Sequence, residues 1–278
     1  MMLKSKTHFN INQFHMNNRT HIMGILNVTP DSFSDGGSYM ALNNAVQHAI
    51  QMEAEGAAII DVGGESTRPG HIPVTQTEEI DRVVPIIEAV SAKVDTPISI
   101  DTYKAETARC ALEAGASIIN DVWGAKRDPE IAAVAAEYDV PIILMHNRMT
   151  KQYDSLIDDM KRDLHESIEV AVKAGVPKAH IVLDPGIGFA KTQADNLVVL
   201  NNLEQITGMG FPVLLGTSRK GFIGTIVDQE VPEARDVGTG ATTCLGISKG
   251  VQIVRVHNVK LHVELAKMMD AMLAADKL

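Results

Sequence analysis

The chain has 278 residues, of which 45% are hydrophobic and 22% are charged, so it can bury a large core. Its 25 Lys and Arg residues stand against 35 Asp and Glu residues, and no basic run or stripe offsets the formal net charge of −10. This balance argues against nucleic acid as a partner, because non-specific binding to nucleic acid needs clustered positive charge. No apolar run approaches the length of about 20 residues that a membrane-spanning helix requires, so no membrane partner is expected.

The cysteines and the first residues indicate a compartment. Cys110 and Cys244 are the only cysteines, both lie in Ala-rich helical patterns, and neither belongs to a C-x-x-C pair. We expect two buried free thiols, which suits a reducing cytoplasm. The first residues contain no apolar segment like that of a secretory signal peptide. The protein is therefore expected to be soluble and cytoplasmic.

The first 21 residues differ from the rest of the chain. Within residues 7–21, apolar Phe9, Ile11 and Phe14 alternate weakly with polar residues, and Asn17 with its neighbour Asn18 separates two short halves. Alternation on both sides of a turn-forming pair predicts a short β-hairpin. We therefore interpret residues 1–21 as an N-terminal hairpin extension ahead of the main fold.

From Ile22 onwards, short apolar strands alternate with amphipathic, Ala-rich helical stretches. Strands of this kind, joined by helices, are typical of a parallel sheet that is covered on both faces. Strands are predicted at residues 22–28, 57–62, 97–101, 117–121, 141–146, 180–184, 212–217 and 252–257. Helices are predicted at residues 41–55, 76–93, 104–114, 129–138, 155–174, 195–207, 238–249 and 259–274. Several of these helices end at a glycine, which is a usual helix C-cap.

Eight such units predict a (β/α)8 TIM barrel, which usually needs about 250 residues. An open, doubly wound sheet is the competing architecture. It would usually carry a G-x-G-x-x-G fingerprint after the first strand, and that pattern is absent there. No linker and no change in composition divides the chain, so we expect one domain over residues 1–278.

Polar side chains close many of the predicted strands, at the end where a parallel barrel places its active site. The clearest case is the segment IVLDPGIGF at residues 181–189, in which an apolar strand delivers Asp184 to a Pro-Gly turn. A polar residue at a single strand end marks only the point where the strand meets water, but so many ends with such varied chemistry favour one shared pocket. The other residues of this kind are Asp61, Asp101, Asn120, Asp121, His146, Asn147, Arg255 and His257.

Positive groups also come from the strand ends. A barrel would bring together cationic side chains from four segments, namely Arg68, Lys220, Arg255 and His257. Residues 217–221 end a strand and open a short helix, and the free N–H groups of a helix N-terminus favour an anion. Loops after the last two strands are a common phosphate site in barrels. A local basic cluster in an acidic protein therefore predicts a phosphate or diphosphate ligand.

Asp101, Asn120 and Asp184 would lie at the ends of three different strands and need partners if buried. A flat heterocycle with a guanidine-like edge is such a partner, because two N–H donors can pair with one carboxylate and an amide can both donate and accept. Phe189 could cover the face of the ring and Met145 could pack against it. As individual residues, both are equally compatible with plain core packing.

Two strand-end loops, at residues 27–37 and 63–70, have glycines at their edges and polar residues between them. Such loops can open and close over a substrate, although the same residues dominate surface turns. Metal-ligand patterns are sparse, but Mg²⁺ needs only one or two protein oxygens beside phosphate oxygens, and Asn27 is a candidate ligand. The nucleophile motif G-x-S-x-G is absent.

Seven segments in this order resemble the dihydropteroate synthase family over nearly the whole chain from residue 22. They are MGILNVTPDSFSDGG (23–37), DVGGESTRPG (61–70), ISIDTYKAE (98–106), IINDVWG (118–124), LDPGIGFAKT (183–192), GTSRKGFIG (216–224) and VRVHNV (254–259). The resemblance implies a barrel, commonly homodimeric, that acts in tetrahydrofolate biosynthesis and is a sulfonamide target. The implied reaction joins p-aminobenzoate to 7,8-dihydropterin-6-ylmethyl diphosphate and releases diphosphate and 7,8-dihydropteroate.

The resemblance also implies roles for individual residues. The pterin would be bound by Asp101, Asn120, Asp184 and Lys220, with Met145 and Phe189 beside the ring. The diphosphate would be bound by Asn27, Thr67, Arg255 and His257, and Asn27 would also hold Mg²⁺. The p-aminobenzoate pocket and its loops would comprise Phe33, Asp35, Thr67, Arg68, Pro69, Ser218 and Gly221.

One position departs from the family pattern, and two alternatives stay open. Many members carry Ser after the S-R-K triplet, where this chain has Gly221, so contacts of that hydroxyl to p-aminobenzoate or sulfonamides are lost. A pterin- or methyltetrahydrofolate-binding module without synthase activity would use a similar barrel and a similar grip on the ring. A barrel that binds its ligand but has lost catalysis is the other alternative. The binding module would not need the Thr-Arg-Pro loop or the S-R-K and R-V-H residues. Against the barrel without catalysis stands the intact set of Asn27, Asp35, Arg68, Lys220 and Arg255.

Overall fold

The computed structural model describes residues 19–28, 38–65 and 74–275. Within them, eight strands alternate with helices along the chain, and each neighbouring pair in the sheet is parallel. The strands are β1 (His21–Asn27), β2 (Ile59–Gly63), β3 (Ile98–Asp101), β4 (Ile118–Asp121), β5 (Ile142–Met145), β6 (Ile181–Asp184), β7 (Leu214–Leu215) and β8 (Ile253–Val256).

The sheet closes on itself. Its strand order is β6-β5-β4-β3-β2-β1-β8-β7, and a parallel bridge between Leu183 and Val213 joins the two outer strands. The predicted (β/α)8 barrel is therefore confirmed. The predicted N-terminal hairpin falls outside the described residues, apart from residues 19–21.

The helices surround this barrel. In chain order they are α1 (Ser38–Glu55), α2 (Gln76–Ser91), α3 (Ala105–Ala114), α4 (Glu130–Glu137), α5 (Leu156–Lys173), α6 (Gln193–Asn201), α7 (Glu204–Thr207), α8 (Gly221–Ile226), α9 (Asp236–Ser248) and α10 (Val259–Ala275). Two short 3₁₀ helices lie in the described residues: Lys178–His180 precedes β6, and Pro232–Arg235 precedes α9. None of the helices in the described part of the chain combines the length and apolar character needed to cross a membrane.

Some predicted bounds were wrong. The helix predicted at residues 195–207 is two helices, because Asn202 caps the first and its side chain bonds the carbonyl of Val198. The strand predicted at residues 212–217 shrinks to the two residues of β7. Cys110 and Cys244 are free, as expected, but only partly buried, because both lie on the helical outer layer.

Two apolar layers form the core. The larger one lies between the sheet and the helices. The smaller one fills the barrel interior and consists of one residue from each of seven strands, Met23, Ile59, Ile118, Ile143, Val182, Leu214 and Ile253. Side chains alternate across a strand, so the residue two positions after each of these also points into the barrel, one layer nearer its C-terminal end. This interior layer is the floor on which the site rests.

Candidate active site

The layer above the apolar floor is polar on most strands. Asp61, Asn120, Asp184 and Arg255 each follow a floor residue by two positions, and Asp101 follows the buried Ser99 by two. The strand period of two therefore converts an apolar floor into a ring of acid, amide and guanidinium groups. Met145 occupies the same layer on β5 and is buried.

Arg255 ties this ring together. Its Nε donates to Oδ2 of Asp61 at 2.6 Å and its Nη2 donates to Oδ2 of Asp101 at 2.7 Å. The amide of Asn120 donates to the same Oδ2 of Asp61 at 3.2 Å. Among the described residues, the other carboxylate oxygen of each acid, Oδ1 of Asp61 and of Asp101, is buried without a hydrogen-bond partner. Such oxygens are rare in native proteins and are ready to accept N–H groups from a ligand.

Burial governs the ionisation of this cluster. It raises the pKa of Asp101 to about 7, against the opposing effect of the Arg255 charge. Burial alone would lower the pKa of Arg255, but the carboxylates of Asp61 and Asp101 outweigh it and raise that pKa. The guanidinium is therefore a permanent charge, whereas Asp101 changes its charge near neutral pH.

The loop after β6 completes one wall of the site. Oδ1 of Asp184 accepts a hydrogen bond from the backbone N–H of Gly186 at 2.7 Å. Nζ of Lys220 donates to the carbonyl of Ile187 and lies 4.8 Å from the centroid of the Phe189 ring. Burial raises the pKa of Asp184, which the nearby charge of Lys220 opposes. Burial likewise lowers the pKa of Lys220 to about 8, opposed by Asp184. Acid, ammonium and aromatic ring thus lie together beside the cluster.

Ser218 and His257 join the ends of β7 and β8. Oγ of Ser218 lies 2.8 Å from Nδ1 of His257. The same Oγ accepts a hydrogen bond from the backbone N–H of His257 at 3.1 Å. Gly221 begins α8, and a Cβ placed there would meet no atom within 4 Å. Space for a larger side chain therefore exists at this position.

Arg219, the middle residue of the S-R-K triplet, has a different role. Its φ is +57°, and its guanidinium makes two hydrogen bonds to Asp236, at 2.7 and 2.9 Å. Asn258 also donates to Asp236, at 3.0 Å. This contact fastens the loop to the start of α9 and leaves Lys220 and Ser218 as the triplet residues that line the site.

Two strand-end residues predicted to share the pocket lie elsewhere, so that prediction was wrong for them. His146 and Asp121 each follow an inward-facing residue by one position and therefore point behind the barrel. His146 lies 3.1 Å from Asp163 of α5, and Asp121 accepts N–H groups from Trp123 and Ala125 in a turn. A third strand-end residue, Asn147, donates to the carbonyl of Val122 at 3.1 Å, so its amide group is bound to the loop after β4.

Asp61 was expected among the strand-end residues that share the pocket, but it was given no role there. β2 continues to Gly63, and Asp61 is fully buried beneath the mouth, where it accepts from Arg255. The signal for this position was its spacing of two from the apolar Ile59. Five predicted site residues fall outside the described residues, namely Phe33, Asp35, Thr67, Arg68 and Pro69.

Asn27 is the predicted metal ligand. It ends β1 exposed, four positions after the floor residue Met23, so it belongs to the inward-facing series at the barrel mouth. Within the described residues, no three His, Cys, Asp or Glu side chains come together in a group that could hold a metal ion. Mg²⁺ held mainly by phosphate oxygens needs no such group, and a single amide oxygen at the mouth fits that manner of binding.

A closed parallel barrel with buried acids, a buried amide and partly buried cations at its C-terminal mouth is the architecture of an enzyme that binds a small polar heterocycle. Comparison with known proteins supports the same class of enzyme. The sequence model of the pterin binding enzyme family matches residues 23–257. The dihydropteroate synthase of Bacillus subtilis (strain 168) is 60% identical over 255 residues, which are 92% of this chain and 89% of that protein.

Solved structures give the same result. The dihydropteroate synthase of Clostridium difficile, determined in the presence of pteroic acid, superposes with a TM-score of 0.89 at 48% identity, covering 98% of this chain and 99% of that one. The Xanthomonas albilineans enzyme in complex with 7,8-dihydropteroate has a TM-score of 0.85 at 40% identity and covers 92% and 94% of the two chains. The chain belongs to the dihydropteroate synthase family of pterin binding enzymes.

Proposed function

We propose that the protein is a transferase that joins p-aminobenzoate to 7,8-dihydropterin-6-ylmethyl diphosphate, giving 7,8-dihydropteroate and diphosphate. The observation that carries this proposal is the buried cluster in which Asp61, Asp101 and Asn120 surround the guanidinium of Arg255. In this cluster, the unpartnered carboxylate oxygens of Asp61 and Asp101 can accept ring N–H groups, and the guanidinium beside them can bind a phosphate. Relatives named dihydropteroate synthase, one of them 60% identical to this chain, support it.

The pterin is placed against the acid side of the site. Asp101 and Asp184 accept N–H groups from its guanidine-like edge, and Asn120 both donates and accepts. Lys220 donates to the remaining acceptors of the ring. Met145 and Phe189 line its faces, with Phe189 held beside the Lys220 ammonium. Buried polar groups that gain partners in this way give both affinity and selectivity for the heterocycle.

The diphosphate is placed at the cationic side. Arg255 and His257 come from the end of β8, and Thr67, outside the described residues, is assigned to the same group. Asn27 at the mouth would hold Mg²⁺ together with the diphosphate oxygens, and the ion when bound supplies further positive charge to the leaving group. Arg255 does not titrate near neutral pH, so it stabilises the diphosphate throughout the working range.

p-Aminobenzoate is placed at the outer end, near Ser218 and the backbone N–H of Gly221. The loop residues Phe33, Asp35, Arg68 and Pro69 are assigned to closing this pocket. In the reaction the C–O bond between the methylene and the diphosphate breaks, and the amine nitrogen forms the new C–N bond and then loses a proton. An aromatic amine is already nucleophilic, so this chain needs no nucleophile–base pair.

A homodimer is the proposed assembly. Helices α9 and α10 pack together, with a 3.0 Å hydrogen bond between Thr243 and His262. Their outer faces expose large apolar side chains, including Val237 at 83% and Met268 at 60%. An apolar face across two neighbouring helices is typical of a surface that a second copy covers. A cytoplasmic location is proposed from the two free thiols, Cys110 and Cys244, because a reducing compartment keeps such groups unpaired.

The test is diphosphate release by the purified protein. It is run with the dihydropterin diphosphate, with and without p-aminobenzoate, and with and without Mg²⁺. We expect release that depends on Mg²⁺ and is accompanied by dihydropteroate formation. Tight pterin binding without release under any condition would instead support the binding module without synthase activity.

A further inference from the structure

Lys191 is a buried cation outside the proposed substrate site. Only 3% of the residue is exposed, although it lies in the loop between the end of β6 and the start of α6. Its Nζ contacts three acceptors: Nδ1 of His146 at 2.9 Å, the carbonyl of Gly186 at 3.0 Å and the carbonyl of Phe189 at 3.1 Å. An ammonium has three donors, so these contacts use all of them.

These contacts also define which ring nitrogen of His146 carries the hydrogen. Its Nε2 lies 3.1 Å from Oδ2 of Asp163, a carboxylate that accepts but does not donate, so Nε2 carries the hydrogen and Nδ1 accepts from Lys191. Burial lowers the pKa of His146 to about 4, which agrees with a neutral ring. Burial also lowers the pKa of Lys191 to about 7, but three acceptors around one nitrogen favour the charged form.

The contacts from Lys191 through His146 end at Asp163, which lies on α5. Asp163 is fixed by Arg148, whose Nη2 donates to Oδ1 at 3.2 Å. A rigid helix is thereby connected, through His146 and Lys191, to a loop without regular secondary structure.

That loop needs such support. Gly186 and Gly188 have φ of +65° and +86°, and Ala190 has φ of +48°, so the backbone does not continue the strand. The hydroxyl of Tyr153 donates to the carbonyl of Ala190 at 2.9 Å, while Lys191 binds the two other carbonyls named above. The loop carries Phe189 and the N–H group that orients Asp184. Its position therefore determines the pterin wall.

We propose that Lys191 is a positioning residue for the pterin: its ammonium, oriented by His146 and Asp163, fixes the loop after β6 in the geometry that binds the ring. The proposal rests on the proposed function for the identity of the ligand. It assigns Lys191 no contact with substrate.

The test compares Lys191→Met with wild type and with Lys173→Met, a matched control at a lysine that is 78% exposed. We expect Lys191→Met to raise the KM for the dihydropterin diphosphate by about tenfold or more, the cost of buried carbonyls left without a donor. The KM for p-aminobenzoate should stay within about twofold. Lys173→Met should match wild type in both constants. A folded Lys191→Met protein with wild-type pterin affinity overturns the proposal.

Lys191→Arg is the second variant. It keeps the charge, but its planar guanidinium cannot direct three donors to the same three acceptors, so we expect a pterin affinity between those of wild type and Lys191→Met. If Lys191→Met does not fold, a folded Lys191→Arg with wild-type pterin affinity also overturns the proposal. Failure of both variants to fold would show a general support for the barrel instead. Pterin affinity is measured by calorimetry without p-aminobenzoate, so a wild-type protein that binds but does not turn over would refute the synthase and leave this test intact.

Discussion

The guanidinium of Arg255 donates to the carboxylates of both Asp61 and Asp101, so its removal should lower the stability of the fold. In Arg255→Met, the buried carboxylates of Asp61 and Asp101 lose their cation, and breaking a buried pair of this kind costs about 3–5 kcal/mol. Arg109→Met is the control, because its partner Glu137 is 57% exposed and such surface pairs contribute about 1 kcal/mol or less. Urea unfolding of both variants measures the difference. Equal losses would show that the cluster around Arg255 is not electrostatically coupled.

The raised pKa of Asp101 should make both pterin affinity and stability depend on pH. Its pKa is raised from 3.8 to about 7, so in the folded protein the carboxyl is ionised only above about 7. A carboxylate accepts more N–H groups than a carboxylic acid, so we expect pterin affinity to fall as the pH drops through 7. The sign for the free protein is opposite: a raised pKa stabilises the fold at low pH, and this contribution is lost as the pH rises from about 4 to about 7.

Calorimetry of pterin binding at several pH values tests both the direction and the residue. Asp101→Asn cannot titrate, so it should bind more weakly than wild type but with a flatter dependence on pH. A wild-type slope that persists in Asp101→Asn would assign the titration to another group, with Asp184 the first to examine because burial raises its pKa as well.

The loop after β6 is the element that the site depends on most, and Gly186 is its critical position. A Cβ at Gly186 would overlap the carbonyl oxygen of His146, and its φ is +65°. Gly210 has φ of +84°, but a Cβ added there would meet no atom within 4 Å, so Gly210→Ala isolates the backbone cost, about 1–2 kcal/mol. We expect Gly186→Ala to lose clearly more stability than this control and to lose pterin binding. Thermal unfolding and calorimetry check the two effects, and equal melting temperatures would show that the loop can shift at no cost.

The order of the elements could be predicted from the sequence, but the contacts that hold the loop after β6 could not. The strand and helix order was predictable, because apolar runs of strand length, amphipathic helices and glycines at helix ends recur along the chain. The contact of Lys191 with His146 was not, since it joins residues 45 apart in the chain through a tertiary arrangement that no local pattern records.

At the scale of the whole molecule, the site depends on strand register. Met145 and His146 are adjacent in the sequence, yet one faces the barrel interior and the other faces α5, because side chains alternate along β5. The sequence shows that polar residues gather at the strand ends but not which of them face inward. Pairing sets that parity: Asp101 lies level with Gly63 and Asn120, which brings the acid and the amide to one face. Hence Asp101, Asn120 and Asp184 were predictable as a group, whereas the pairing of Asp61, two residues inside β2, with Arg255 was not.

The proposed assembly of two copies can be tested by substitutions on its apolar face. Val237 on α9 and Met268 on α10 belong to the exposed apolar face proposed as the dimer contact. In a symmetric dimer each substitution occurs twice, so Val237→Glu would bury two carboxylates at an apolar contact, which is strongly unfavourable unless the subunits separate. We expect wild type to sediment with twice the mass of one chain and Val237→Glu to sediment as a monomer. Val172→Glu on α5, where Val172 is 37% exposed, is the control and should remain dimeric. A wild-type monomer would refute the dimer, and a dimeric Val237→Glu would move the contact to another face, because two unpaired charges could not persist within it.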